Sequence, residues 1–314
     1  MFSTIVNIET TNSPIHYQDS IMTLGSCFSD NIGRKLENAF FKVDINPFGV
    51  LFNPISVANS IQLLLDNKRF TENDLFQQAS LYYSFSHSTL FSGNNTDEVL
   101  TRINQRIEAA VENLQKSRFL LITFGTAWVY EYEGEVVSNC HKLPSATFQR
   151  RRLSVDGIVS NYQQLIQTLN ARFPELQIVF TVSPIRHWKD GAHENNLSKS
   201  ILHLAVEELQ HLFTNVSYFP AYEIQLDELR DYRFYSSDMF HPSEVAVDYI
   251  WKRFGEVYFS ADTQKLLVRL EKLARQMNHR SIHPRSDEHQ HFLKQLEQQK
   301  LDLIKEFPFL KGRV

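Results

Sequence analysis

The sequence predicts an α/β fold built on a parallel sheet covered on both faces. Three observations carry this prediction. Five short apolar runs, at 21–25, 42–45, 119–124, 177–183 and 216–219, have the length and composition of strands. Longer segments with helical periodicity separate them, so strand and helix alternate about five times along the chain. Gly and Pro number 10 each in 314 residues, half the usual share of about 12%, and too few for the closely spaced turns of an all-β protein.

After the first run, Phe28, Ile32, Leu36 and Phe40 recur every four residues and define one apolar stripe of a helix. Segments 55–65, 97–114, 155–173 and 195–213 read the same way. Val245, Tyr249, Ile250, Phe254 and Val257 carry a last core helix to residue 258. Two long insertions after strand ends fit neither pattern: 73–95 is polar and aromatic, and 131–152 reads as a small hairpin followed by a basic loop. Such insertions are where α/β proteins place function. The last 54 residues differ, with 11 Lys/Arg against 7 Asp/Glu, so they carry +4 and the rest of the chain −8. Leu266, Leu267, Leu270, Leu273 and Met277 predict one amphipathic helix there, and Phe292, Leu296, Leu303 and Ile304 a second over 289–305. His283-Pro284-Arg285-Ser286 is the expected hinge. The expected organisation is a main domain at 1–260 and a helical hairpin at 261–314, packed on the core or on a second subunit of a homo-oligomer. His279, His283, His289 and His291 are expected on a solvated helix face rather than at a metal.

The net charge of −4 offers no footprint for nucleic acid. No apolar run approaches the roughly 20 residues of a membrane span, and the first residues lack the basic and apolar regions of a secretory leader. The expectation is a cytoplasmic protein with no nucleic-acid or membrane partner. Two cysteines, Cys27 and Cys140, exclude a disulfide scaffold and an all-cysteine zinc site. Walker A, Gly-x-Gly-x-x-Gly and His-Glu-x-x-His motifs are absent, so no cofactor and no resident metal are expected.

In an open parallel sheet, ligands bind beyond the carboxyl ends of the strands. The segments expected there are Gly25-Ser26-Cys27-Phe28, Asn46-Pro47-Phe48-Gly49, Gly125-Thr126-Ala127-Trp128, Ser183-Pro184-Ile185-Arg186-His187-Trp188 and Asp238-Met239-Phe240-His241-Pro242. At Gly25-Ser26-Cys27 a sharp turn leads into a helix whose unpaired N–H groups stabilise a thiolate or oxyanion; in isolation such a turn is more often an N-cap serine and a small buried cysteine. Asp238 precedes His241 by three residues, a spacing that lets a carboxylate fix an imidazole tautomer. The two features on one sheet edge point to nucleophilic catalysis. Asn139-Cys140-His141-Lys142 is a candidate substrate loop, and Arg186, His187, Lys189 and Arg150–Arg152 are candidates for an anionic substrate. Trp128, Tyr130, Tyr132 and Trp188 could stack on a sugar ring or pack in a core.

These ordered blocks, spread over about 20–260, resemble the bacterial GSCFA family, which is grouped with the SGNH/GDSL-type hydrolases; Ser29 stands here where the family's name has Ala. The resemblance implies a three-layer flavodoxin-like fold with a five-stranded parallel sheet. It further implies ester hydrolysis or acyl transfer through a covalent acyl-enzyme, on a small ester or acylated glycan. Asp238 and His241 match the superfamily's terminal Asp-x-x-His-Pro motif, as orienting acid and general base, and Gly49 takes the place of an oxyanion-hole glycine. The nucleophile register falls on Cys27 or, shifted by one, on Ser26, with helix dipole and imidazole both expected to lower the Cys27 pKa. Ala127 stands where the superfamily has an oxyanion asparagine. Replacement donors or substrate contacts are then sought among Thr126, Asn46, Asn139, His141, Ser183, Arg186, His187 and the backbone N–H groups of Gly49 and Cys27. The alternative implied by Ala127 is a binding protein that keeps the fold without the catalysis.

Overall fold

A computed structural model describes residues 4–278 and 286–314. In chain order it begins with β1 (Ser20–Gly25), α1 (Cys27–Asn38), β2 (Lys42–Ile45) and α2 (Pro54–Leu65). A hairpin of β3 (Phe76–Gln78) and β4 (Leu81–Tyr83) follows, then α3 (Thr96–Lys116) and β5 (Ser117–Phe124). Next come β6 (Trp128–Tyr132), β7 (Glu135–Val137), β8 (Gln149–Arg152), α4 (Val155–Arg172), β9 (Gln177–Val182), α5 (Gly191–Leu212) and β10 (Val216–Tyr218). The short α6 (Ala221–Glu223), then α7 (Glu244–Tyr258), α8 (Ala261–Met277) and α9 (Asp287–Glu306) complete the order.

Strands β2, β1, β5, β9 and β10 lie side by side in that order, all parallel, which is the flavodoxin-like arrangement. Side chains alternate across each strand. Met22, Leu24, Leu120, Ile122, Phe124, Ile178 and Phe180 therefore join one core with α2, α3, α4 and α5. Ile21, Phe119, Leu121 and Val179 join the other, with α1, α7, α8 and α9. The result is the expected three layers. Both sheet faces are covered, which is why these strands read as continuous apolar runs rather than alternating ones.

Of the two places expected for the tail, the structure shows its own core. Leu266, Leu270 and Leu273 of α8 and Leu296 and Leu303 of α9 share the second core with Phe28, Ile32 and Leu36 of α1. Arg269 grips Glu306 at 2.8 and 2.7 Å, and Arg313 donates to the Tyr17 carbonyl at 2.8 Å. Ser286 caps α9; the rest of the expected hinge, with His279 and His283, lies outside the described residues. Among the described residues no helix is long and apolar enough to cross a membrane.

The expected basic loop is a strand. β8 pairs antiparallel with β6, opposing Arg152 to Trp128 and Arg150 to Tyr130, so the arginines lie on aromatic faces: Arg150 sits 4.2 Å from the Trp128 ring centre. Sequence charge alone does not reveal this pairing.

The site depends on one tight approach. Gly25 ends β1 with φ 138°, and a Cβ there would lie 2.1 Å from the carbonyl oxygen of Thr123 in β5. Only glycine lets the two strand ends meet and the chain turn into α1 at once. Gly25→Ala is expected to lower stability by more than about 3 kcal/mol, measured as a shift in urea midpoint. A change under 1 kcal/mol, on the scale of an ordinary surface substitution, would contradict this reading.

Candidate active site

The turn after Gly25 separates Ser26 from Cys27. Ser26 is buried and acts as the N-cap of α1, its Oγ accepting from the Phe28 N–H at 3.3 Å. Cys27 is the first helical residue, and its Sγ lies 3.9 Å from His241 Nε2. Contacts of this length are common where no substrate closes the site.

His241 is held by Asp238. The 2.6 Å contact from Nδ1 to Asp238 Oδ2 places the imidazole proton on Nδ1 and leaves Nε2 as an acceptor toward the sulfur. Asp238 Oδ1 accepts the backbone N–H groups of Phe240 at 2.9 Å and His241 at 3.0 Å. Those backbone donors, first that of His241 and then that of Phe240, with the imidazole added, hold the carboxyl down at about 2, so it stays ionised at any working pH. Met239 at φ 62° makes the turn that brings Asp238 under the ring.

The Cys27 thiol behaves differently from the expectation. Burial pushes it up, Asp30 adds to the rise, and the backbone N–H groups of Cys27 and Phe28 together with Lys199 offset it without winning. Helix-terminal donors are present, as anticipated, but desolvation is larger.

Other sequence candidates divide. His187 comes to the site: a Cβ built on Gly125 would lie 3.1 Å from His187 Nε2 and 3.4 Å from Ser26 Cβ, so the ring sits over the turn. Its Nε2 is buried and has no partner. Burial, then the nearby Lys199 and His241, push His187 down to about 4, so it is neutral at pH 7. Arg186 binds Asn196 at 3.3 Å and lies over Trp188, which stacks on Phe240 with centroids 5.5 Å apart. This stack forms one wall beside the base.

Gly49, Asn46, Thr126 and Ser183 surround the site but have their groups engaged. The Gly49 N–H donates to Asn46 O at 2.7 Å. The Asn46 side chain accepts from the Gly25 N–H at 2.9 Å and donates to Asp30. Thr126 Oγ1 is 3.0 Å from Ser198 Oγ and accepts from the Trp128 N–H at 3.2 Å, while Ser183 Oγ accepts from the Ile185 N–H at 3.3 Å. Asn139 and His141 are not brought to the base. Asn139 accepts from the His141 N–H at 2.8 Å, and His141 Nε2 faces Ser84 O at 2.9 Å with its ring against Tyr83. Among the described residues no three His, Cys, Asp or Glu side chains are grouped to hold a metal ion.

The sequence reading missed the polar face of α5. Asn195 accepts from the His187 N–H at 3.0 Å, Ser198 accepts from the Ala127 N–H at 2.7 Å, and Lys199 donates to Gly125 O at 2.7 Å and Ser183 O at 2.6 Å. All three are buried. The signal was available: positions 195, 198 and 199 continue the spacing of Leu202, Ala205, Val206 and Leu209, so they fall on the stripe that faces the core. Arg150, bound to Asp190 at 2.6 Å, and Arg152, bound to Glu194 at 2.6 Å, tie the small antiparallel sheet to the segment that carries His187.

A thiol, an oriented imidazole and a carboxylate at the carboxyl edge of a flavodoxin-like sheet define an α/β protein with the parts of a nucleophilic triad. The chain belongs to the GSCFA family: the family model matches residues 20–254, and the model described as GSCFA domain protein, C-terminal domain, matches residues 270–313. No curated protein matches this sequence. Among solved structures, a Streptococcus pneumonia protein described as a platelet activating factor aligns at TM-score 0.40 and 12% identity, over 77% of this chain and 84% of that one. A Clostridium thermocellum family 3 carbohydrate esterase aligns at TM-score 0.34 and 13% identity, over 81% and 98%. An acetyl xylan esterase from Butyrivibrio proteoclasticus aligns at 0.33 and 12%, over 83% and 66%. Likeness this distant assigns no activity.

Buried histidines around the site make stability depend on pH. Burial, with His141 nearby, pushes His87 down to about 3, and burial, with Lys199 nearby, pushes His203 down to about 4. An unfolded histidine takes up its proton near pH 6.5. The unfolded state therefore binds more protons below that pH, and the stability these groups contribute is complete above about 6.5 and is lost as pH falls toward 3–4. In His87→Phe, whose ring would lie among Phe48, Phe70 and Phe91, the loss of stability between pH 7 and pH 5 should be smaller by about 2 kcal/mol. Urea denaturation at the two pH values checks this, and equal losses would contradict it.

Proposed function

We propose that this chain is an SGNH-type esterase that acts through a thioester on Cys27, with an acylated carbohydrate or another small ester as substrate. The observation that carries the reading is the continuous contact from Asp238 through His241 to Cys27 Sγ at the carboxyl edge of the sheet. His241 Nε2 takes the thiol proton as sulfur attacks the ester carbonyl, and the carbonyl π electrons move onto oxygen. The tetrahedral adduct collapses, expels the alkoxide, and His241 returns the proton to it. Water, deprotonated by the same nitrogen, then attacks the thioester and releases the acid and the thiol.

Two donors suit the developing oxyanion. One is the Cys27 backbone N–H, an unpaired group of the first helical turn. The other is His187 Nε2, neutral at pH 7 and without a partner in the protein. It stands over the turn, in a site where Ala127 offers no side-chain donor. Water is the favoured acceptor because the Asp238 and His241 side chains are 46% and 47% exposed. The half-exposed Trp188 on Phe240 offers a flat apolar wall beside the base, a shape suited to a sugar ring.

Hydrolysis of an activated acetyl ester is the test. Cys27→Ala and His241→Ala should abolish turnover, and Asp238→Asn should reduce it at least about a hundredfold. His187→Ala should cost about 10²–10³ in rate while leaving iodoacetamide alkylation of Cys27 unchanged, since that displacement forms no oxyanion. Ser26→Ala should retain turnover and lose about 1 kcal/mol of stability with its cap. Unchanged turnover in His241→Ala contradicts the mechanism. An inert wild-type protein favours the non-catalytic binding alternative.

A further inference from the structure

Lys199 is a fully buried cation whose charge has no carboxylate to balance it. It is 1% exposed, and its Nζ donates to Gly125 O at 2.7 Å and Ser183 O at 2.6 Å, the residues that follow β5 and β9. Among the described residues no Asp or Glu side chain lies within 4.0 Å of it, and the Tyr222 ring centre is 5.7 Å away. Two carbonyl dipoles satisfy hydrogen bonds without neutralising the charge, and an unbalanced ammonium in a protein interior is costly. The other groups whose charge acts on it are Arg186, His187 and His203, none of which can be an anion. Among the described residues the acid whose charge acts on it is Cys27, which follows Ser26 in the turn packed against Gly125, with Ser26 Cβ 3.4 Å from where a Gly125 Cβ would stand.

We propose that Lys199 is the counter-charge of the Cys27 thiolate, a positioning residue that sets the pH at which the nucleophile ionises. The inference rests on the reading of Cys27 as nucleophile and adds a fourth group to Asp238, His241 and Cys27. When the thiol proton moves to His241, negative charge appears on a sulfur that is otherwise disfavoured by burial and by Asp30. Lys199, held by the two strand ends, then supplies a positive charge on the buried side of the turn. The same geometry places the ammonium under Gly125, beside the turn where a carbonyl substrate would sit. No proton leaves Lys199 in the reaction; it acts through its field. Burial, opposed by Cys27 and reinforced by Arg186, brings its pKa down to about 7. Ammonium and thiolate therefore support each other, and removing either weakens the other by the same amount.

The test is the pH profile of Cys27 alkylation by iodoacetamide from pH 5 to 10, read by peptide mapping with Cys140 as internal control. In Lys199→Met the Cys27 profile should move up by about one unit or more, making alkylation about tenfold slower at pH 7. Lys199→Arg should restore most of the shift, and Cys140 should be unaffected. Superimposed Cys27 profiles in wild type and Lys199→Met would overturn the proposal. Should Lys199→Met fail to fold, the reciprocal measurement stands in its place. The side-chain carbon resonance of Lys199 should show the ammonium persisting to higher pH in wild type than in Cys27→Ala, and equal midpoints would overturn it. Alkylation needs no ester substrate, so an unshifted profile in a protein that hydrolyses esters rejects Lys199 alone, and an inert protein rejects the esterase reading alone.

Discussion

The turn at Gly25 is the constraint on which the rest of the site depends. β1 and β5 are neighbours in the sheet, and the first must end against the Thr123 carbonyl of the second with no side chain between them. That approach fixes where α1 begins, and so which residue caps it and which meets solvent. Ser26 is consumed by capping, and Cys27 is left at the helix entrance facing the imidazole. The other site residues reach the same point from separate parts of the chain: His187 from the segment after β9, Lys199 from α5, Asn46 from the segment after β2, and Asp238 and His241 from the loop before α7.

The electrostatics of the site are two-sided. On the open side, Asp238 and His241 are solvated and their geometry comes from short backbone and side-chain hydrogen bonds rather than from burial. On the closed side, His187 and Lys199 are desolvated, one held neutral and the other a cation without a carboxylate. In the proposed mechanism Cys27 takes its base from the wet side and its counter-charge from the dry side. On the proposed mechanism, this division lets a half-buried thiol, disfavoured as an anion by its surroundings, be served by a base that water reaches.

The fold was legible because parallel strands buried on both faces appear in sequence as short apolar runs, and helices between them keep a 3.6-residue period. All five strands of the main sheet, and the helices at both cores, follow from those two patterns. The pairing of β8 with β6 was not legible, since Gln149-Arg150-Arg151-Arg152 has the composition of a solvated loop and owes its strand conformation to the aromatic face of Trp128 and Tyr130. At the site, the structure brings together Cys27, which stands in a local motif at the end of β1, and Asp238 and His241, which stand in a local motif just before α7. His141 stands in a similarly reactive row, yet its ring packs among Tyr83 and Phe76, a tertiary outcome that no local spacing encodes. Lys199 was missed for the opposite reason: it lies within a helix rather than at a strand end, and only its phase relative to Leu202 and Val206 marks it as buried.

On the proposed mechanism Cys27, and not Ser26, carries the acyl group. The most direct test of this is the intact mass of the protein after brief exposure to an activated acetyl ester, followed by peptide mapping of the adduct and treatment with hydroxylamine. The expected result is one acetyl group on Cys27, released readily by hydroxylamine as a thioester and absent in His241→Ala. An adduct on Ser26 that resists mild hydroxylamine, or an adduct on Cys27 that forms equally well without His241, would contradict it.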